Sequence, residues 1–393
     1  MLISVIVDYW VAIQIHQSPK SKKKGLLLIS LLVNLGLLFY FKYLIFFSDN
    51  AIGLANILGA EVDKLVLNII LPLGISFYTF QTISYTVDVY RGLIRPEKDF
   101  ILYACYVTFF PQLVAGPVLR AVEVIHQFVD RPPFAWVDIV VGLRRIIYGL
   151  FLKVVLADNI APLVDSGFSM PVNSMSALDV WTLAFLFGFQ IYFDFSAYSH
   201  IALGSSRMMG IRFPENFNFP YLATSPKDFW SRWHISLSSW IRDYLYLPLA
   251  GIKVHDRSVG GLAKAVLDKK KSKALFTTWA IMGLWHGSNW TFVLWGVYHS
   301  LSISLYRLIT PFTRSLNQNY KILGGIIITL PVMMLAWIPF RAETLTSTYR
   351  MWSKVVDPFA YTSLGMRENT YLVTVLILVG ILIVGSILGV QVG

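Results

Sequence analysis

The chain has 393 residues, 56% of them hydrophobic and 14% charged, with a single cysteine and a formal net charge of +11. That apolar share exceeds what a soluble core needs, and one cysteine excludes an internal disulfide or a cysteine metal cluster. The basic residues gather in short loops between apolar runs of about 20 residues, so the charge reads as a topology signal and a contact for anionic membrane lipids, not as a nucleic-acid surface. The expectation is an all-α, polytopic integral membrane protein of the plasma (inner) membrane, with residues 1–393 as one multi-span domain.

In chain order, MLISVIVDYWVAIQI is short for a span and lacks the basic start and cleavage site of a signal peptide. Lys20 and Lys22 to Lys24 mark a first inner loop, from which 26–47 spans outward to a loop holding Asp49, Glu61 and Asp63. A return span is expected over 66–89, bent at Pro72 and Gly74, and another over 101–119, with Cys105 as buried filler. Residues 120–138 read as interfacial, and 139–157 is apolar but carries Arg144, Arg145 and Lys153. The span over 178–203 holds Asp194 and His200, a proton pair or interhelical glue. Residues 253–273 carry seven Lys/Arg and should be cytoplasmic; 322–340 and 371–390 are further spans. The pattern gives roughly eight to ten membrane segments, some of them re-entrant.

The chain is organised around 225–300. Ser225 reads as an N-cap, Pro226 as the first helical position and Asp228 as a first-turn acid. From there to Pro248, Trp230, His234, Leu237, Ile241 and Tyr244 fall on one face of an amphipathic helix, while Arg232, Ser236, Ser239 and Asp243 form a polar stripe. So polar a helix is expected to lie at the interface or re-enter within the protein. His286 follows an apolar helical run that starts near Phe276, about 16 Å along it at the helical rise, beside a break at Gly287, Ser288 and Asn289.

No P-loop, Rossmann glycine pattern, HExxH or GxSxG occurs, and His, Cys and carboxylates do not cluster at metal spacing. Ionisable groups are costly at membrane depth, which singles out His286 and His234. A neutral imidazole can remove a hydroxyl proton, and acyl transfer from a thioester needs such a base, an oxyanion stabiliser and a water-poor site. His286 could be the base, with Trp285, Asn289 and Arg232 as hydrogen-bond donors and Asp243 along the substrate path. The alternative for either histidine is a structural ring bonded to a carbonyl or, at His234, to water. His299 reads as structural.

The blocks PLGISFYTFQTISYTVDVYRG, FFPQLVAGPVLR, GLFLKVVLADNIAP, FDFSAYSHIALG, PENFNFPYLATSPKDFWSRWHISLSSWIRDYLYLPLAG, GLWHGSNWTFVLWGVYH and LAWIPFRA resemble the bacterial membrane-bound O-acyltransferase family. The likeness covers about 71–342 and lies nearer the alginate O-acetylation branch than the teichoic acid D-alanylation branch. It implies a helical fold around a central funnel, His286 as catalytic and His234 as the second family histidine. It further implies an acyl thioester donor such as acetyl-CoA, no bound cofactor or metal, and an extracytoplasmic acetyltransferase partner acting on an envelope polysaccharide. His200 stands where many relatives carry an acid, PLAGIK replaces a more usual PLGGNR, and relatives extend further at both ends. Two other classes remain: a transporter with His286 and Asp194 lining a path, and a non-catalytic scaffold for an envelope enzyme.

Overall fold

The computed structural model describes residues 1–113, 116–130, 133, 135–252, 269–313 and 317–387, and every regular element among them is helical. The expected basic loop at 253–273 lies outside the described residues up to position 268, and FFPQLVAGP is described except for 114–115. Three described helical stretches are long and apolar enough to cross a membrane: Lys20–Ile57, Ala177–Met208 and Tyr320–Arg341. The chain forms two compact units, Met1–Ile146 with Ser199–Pro214, and Ile147–Tyr198 with Glu215–Gly393.

In the first unit, α1 (Leu2–Gln17) packs with α2 (Lys20–Leu38) and α4 (Ile75–Arg91). A buried polar cluster ties them together. The Ser30 hydroxyl and the Asn34 amide donate to the Asp8 carboxylate at 2.5 and 2.7 Å, and Thr82 donates to Asn34 at 3.0 Å. Polar groups removed from water must be paired, so this cluster fixes the helix register. Past Leu38 the helix runs without interruption through a π turn into α3 (Leu44–Ile57), so Asp49 is helical and the expected outer loop starts only after Ile57.

Two expected spans are not regular helices over their full length. Residues 60–72 are irregular, and α4 begins only after Gly74, whose φ of +73° and close approach to the Leu113 carbonyl (2.5 Å from a built Cβ) leave no room for a side chain. Over 101–119, α5 (Phe100–Thr108) and α6 (Phe110–Leu113) are too short to cross a core of ~30 Å. Cys105 is exposed, not buried filler, because α5 turns Tyr103, Tyr106 and Val107 inward instead. The interfacial stretch contains α7 (Ala121–Val129), and α8 (Trp136–Leu150) follows, with Asp138 paired to Arg207 at 2.5 Å.

The second unit runs from a π-helical segment, Phe151–Ala157, into α9 (Asp158–Phe168), then to α10 (Ala177–Met208), of which residues up to 198 belong to this unit. Short helices α11 (Pro226–Arg232), α12 (Ile235–Ile241) and α13 (Leu247–Ala250) precede α14 (Lys269–His286) and α15 (Trp290–Thr313). Then come α16 (Gln318–Leu335), α17 (Trp337–Arg341), α18 (Leu345–Val356) and α19 (Glu368–Ile387). Asp179, near the start of α10, accepts hydrogen bonds from the Ser176 and Gly365 backbone and from the Tyr371 hydroxyl, clamping α19 to it. Asp194 pairs with Lys153 at 2.7 Å, and Lys153 also reaches Asp158 at 2.9 Å. The carboxylate is therefore held by a lysine across helices, the interhelical glue of the two readings.

Candidate functional site

The stretch from Ser225 to Ala250 is not one amphipathic helix. It starts as expected, with the Ser225 hydroxyl accepting the Asp228 backbone N–H at 3.0 Å and Asp228 accepting the Thr224 N–H at 3.0 Å. The helix then ends after seven residues, at Arg232. His234 takes up φ +43°, ψ +54°, and α12 restarts behind it. Only Phe219 shares a positive φ among the described non-glycine residues. A left-handed residue with a Cβ costs about 1–2 kcal/mol, so this kink needs compensation.

The compensation comes from the PENFNFPY loop. Asn218 N–H donates to the Arg232 carbonyl at 2.9 Å, and Ile235 N–H donates to the Asn216 carbonyl at 2.9 Å. Arg232 is 6% exposed, with Nε on Asp228 Oδ1 at 2.7 Å and Nη1 3.5 Å from the Asn218 carbonyl. The polar stripe is thus folded inward, not presented to solvent. Asp243 is likewise 3% exposed, gripped by Arg242 at 2.8 and 3.2 Å inside the π segment Arg242–Tyr246. Both side chains are buried against partners, and Arg232 holds the loop that packs against His234.

The loop also fixes the tautomer of His234. Asn216 Oδ1 accepts the Ser236 backbone N–H at 3.2 Å and its hydroxyl at 2.8 Å, which establishes that atom as the carbonyl oxygen. His234 Nδ1, 3.2 Å from the same oxygen, must therefore donate. Nε2 is left as a bare lone pair, buried and with no hydrogen-bond partner among the described residues. Phe195 and Phe217 enclose the ring at 4.6 and 6.4 Å. Burial pushes its pKa down to about 3, so the imidazole is neutral at physiological pH.

His286 ends α14, followed by the expected break before α15. The helix is unbroken from Lys269, so the ten residues from Phe276 to His286 rise about 15 Å along it. Glycines let the two helices touch backbone to backbone. A Cβ at Gly283 would fall 2.1 Å from the Phe292 carbonyl oxygen, and one at Gly296 would fall 2.0 Å from that of Trp279. This approach sets His286 against Trp295 at a ring distance of 4.9 Å, with Trp285 at 4.8 Å and Phe340 at 5.2 Å. Phe340 is steadied by Arg341, which bonds Asp165 at 2.8 Å and lies over the Phe168 ring.

Asn289 shapes the break. Its carbonyl accepts the Thr291 N–H at 3.1 Å, and its amide donates to the Glu343 carbonyl at 3.0 Å. Both ends of the carboxamide are thereby engaged in holding the turn. Trp285 is buried, edge-on to His286.

His234 and His286 occupy opposite ends of one aromatic wall. The rings run from His234 through Phe217, Trp233, Trp337 and Phe340 to His286, each 4.9 to 6.4 Å from the next. α10 serves as a ruler: Phe187 packs on Phe340 and Phe195 on His234, eight residues apart, or about 12 Å of helix. Sequence reasoning missed Asn216, Trp295 and Phe340. The four-residue spacing of Trp295 and His299 was visible, but nothing local in PENFNFPY points to a histidine 18 residues on. Among the described residues, no group of three or more His, Cys, Asp or Glu comes together that could hold a metal ion.

The profile of the membrane-bound O-acyltransferase (MBOAT) family matches residues 94–340. The chain belongs to that family. His234, His286, Asn216, Arg232, Asp243, Trp285 and Asn289 all fall inside the matched region. The chain is 36% identical over 375 residues to a Helicobacter pylori protein named "Peptidoglycan O-acetyltransferase", covering 88% of this chain and 68% of that one. It is 37% identical over 352 residues to a Pseudomonas aeruginosa protein named "Probable alginate O-acetylase AlgI", covering 88% and 64%. A "Teichoic acid D-alanyltransferase" of Bacillus subtilis is 29% identical over 267 residues, covering 65% and 62%. The chain thus spans about two thirds of the length of these relatives. As an MBOAT member it is a helical membrane protein.

Proposed function

We propose that this protein is a multi-pass inner-membrane O-acyltransferase that takes an acyl group, acetyl in the first instance, from a cytoplasmic thioester such as acetyl-CoA. The group is delivered toward a cell-envelope polysaccharide by way of an extracytoplasmic acetyltransferase. The observation that carries this reading is the site itself: an imidazole at a helix end, His286, walled by Trp285, Trp295 and Phe340, at one end of an aromatic wall whose other end holds His234. Relatives named for peptidoglycan O-acetylation, alginate O-acetylation and teichoic acid D-alanylation all modify envelope polymers by name, which supports the acceptor class.

In this reading His286 removes the proton of an acceptor hydroxyl as its oxygen attacks the thioester carbonyl. Collapse of the tetrahedral intermediate expels the thiolate, which takes the proton from the imidazolium, leaving an ester and a free thiol. The aromatic wall excludes water, which would otherwise hydrolyse the thioester. His234 presents a neutral acceptor that can hold a hydroxyl or the donor's polar arm by its lone pair. Asn289 and Arg232 keep the two histidines placed rather than meeting substrate.

The test is transfer of radiolabelled acetyl from acetyl-CoA by the purified protein in proteoliposomes, together with its envelope partner. His286→Ala is expected to lower the rate by ~10²–10⁴-fold while membrane insertion and melting temperature stay near wild type. Activity within tenfold of wild type would remove His286 from the chemistry.

A further inference from the structure

Two residues one turn apart on α15 carry buried ring nitrogens with no hydrogen-bond partner among the described residues. Trp295 is 1% exposed, and its Nε1 has no hydrogen-bond partner among the described residues. His299, one helical turn on, is also 1% exposed, and its Nε2 lacks a partner in the same way. The two rings lie 4.7 Å apart.

The proton on His299 can be placed. Trp230 Nε1 lies 3.4 Å from His299 Nδ1, and an indole nitrogen can only donate. His299 Nδ1 therefore accepts, and in the neutral ring the proton must sit on Nε2. Trp230 in turn is held at the end of α11, its ring edge-on to Trp279 at 4.6 Å. The packing of three helices thus turns His299 into a hydrogen-bond donor.

Two such donors in an apolar wall are costly unless something accepts from them, because each has lost water without gaining a partner. Trp295 also packs against His286 at 4.9 Å, so the first donor borders the imidazole assigned to the chemistry and His299 stands one ring behind it, 4.7 Å from Trp295. Building on the acyl-transfer reading, we infer that Trp295 Nε1–H and His299 Nε2–H are the carbonyl-binding pair for the acyl group that reacts at His286. As the hydroxyl oxygen bonds to the carbonyl carbon, the C=O π pair moves onto oxygen, and these two N–H groups receive that charge. When the C–S bond breaks, the pair returns to re-form C=O and the proton leaves His286 for the thiolate. Both donors are already in place in an apolar setting, where such bonds count most.

The experiment compares Trp295→Phe, which keeps an aromatic ring but deletes the N–H, with His299→Gln, which keeps an N–H donor, and His299→Leu, which does not. Each full-length protein is purified, reconstituted with the envelope partner and assayed for kcat and KM with acetyl-CoA, alongside its melting temperature. Trp295→Phe is expected to lose ~10²–10³-fold in kcat. Its KM should change by less than about threefold, and its melting temperature should hold or rise, since an unmet buried donor has been removed. His299→Gln should retain clearly more activity than His299→Leu. If Trp295→Phe keeps kcat within about threefold, or if kcat falls only in step with melting temperature across the series, the pair is structural and the inference fails. His286→Ala in the same assay separates the two levels. An inactive His286→Ala with an active Trp295→Phe removes only the carbonyl-binding pair, an active His286→Ala removes His286 from the chemistry, and a wild-type protein that transfers no acetyl removes the acyl-transfer reading itself.

Discussion

His234 donates from Nδ1 to Asn216 Oδ1 at 3.2 Å, and the same oxygen also receives the backbone N–H and hydroxyl of Ser236. One carboxamide therefore holds the left-handed kink, caps the start of α12 and selects the histidine tautomer. Asn216→Ala should leave buried donors unmet at a cost of about 1–3 kcal/mol and free the ring to change tautomer. Transfer should fall by more than the folded fraction does, a comparison made by normalising the rate to correctly folded protein from size-exclusion chromatography. An unchanged rate per folded molecule would detach Asn216 from the chemistry.

The same contact makes a pH prediction. Burial holds the His234 pKa near 3, below the ordinary histidine value, so its stability contribution is present above about pH 6.5 and declines as pH falls toward 3. Asn216→Asp would place a carboxylate beside Nδ1 and favour the imidazolium. The variant's pH–rate profile should gain an acid limb above pH 5 attributable to His234, absent in wild type. Superimposable profiles would show that protonation of His234 is irrelevant to turnover.

Gly296 sets how closely α14 and α15 approach, since its Cβ would fall 2.0 Å from the Trp279 carbonyl. Gly296→Ala must push the helices apart, a strain of about 1–3 kcal/mol for an overpacked contact. The shift also moves Trp295 away from His286. Melting temperature and activity should both drop, and Gly324→Ala, which meets open space, serves as the neutral control.

Arg232 is expected to matter for folding because its charge is buried against Asp228, with side chains 7% and 21% exposed. Arg232→Ala leaves the half-buried Asp228 carboxylate without its cation, still held by the Thr224 N–H, and should destabilise by about 1–3 kcal/mol. Arg232→Lys recovers part of this, because a point charge cannot serve both Asp228 and the Asn218 carbonyl as the guanidinium does. Arg232→Met combined with Asp228→Leu should unfold later than Arg232→Ala alone. A stable, inactive Arg232→Ala would instead return this side chain to the substrate path.

Topology can be read with cysteines in a Cys105→Ser background. Asn56 is a poor site, as its side chain bonds both backbone groups of Val62, at 2.9 and 3.1 Å. Exposed Asp63 is better. By the distribution of Lys and Arg, an impermeant thiol reagent should label position 63 from outside intact cells and position 258 only after lysis. The reverse pattern would invert the protein.

The sequence alone carried the class and the local helix starts and breaks around the two histidines. Apolar run lengths and basic loops dictate a membrane protein, because lipid tolerates few alternatives to helices. The Ser225–Pro226–Asp228 start, the break after His286 and the family blocks are local signals, and each appears where its residues place it. What the sequence could not specify depends on partners far along the chain. Periodicity made 225–248 one helix, but Asn216 and Asn218 bond across the Trp233–His234 kink and outweigh the local helical preference. Polar spacing gave Arg232 and Asp243 a common stripe, yet tertiary packing buries both against partners. His299 reads as structural from the sequence, and nothing local marks Trp295, until α14, α15 and α17 close around them. Whether a buried N–H has an acceptor is set by every neighbour at once, and only the assembled fold decides it.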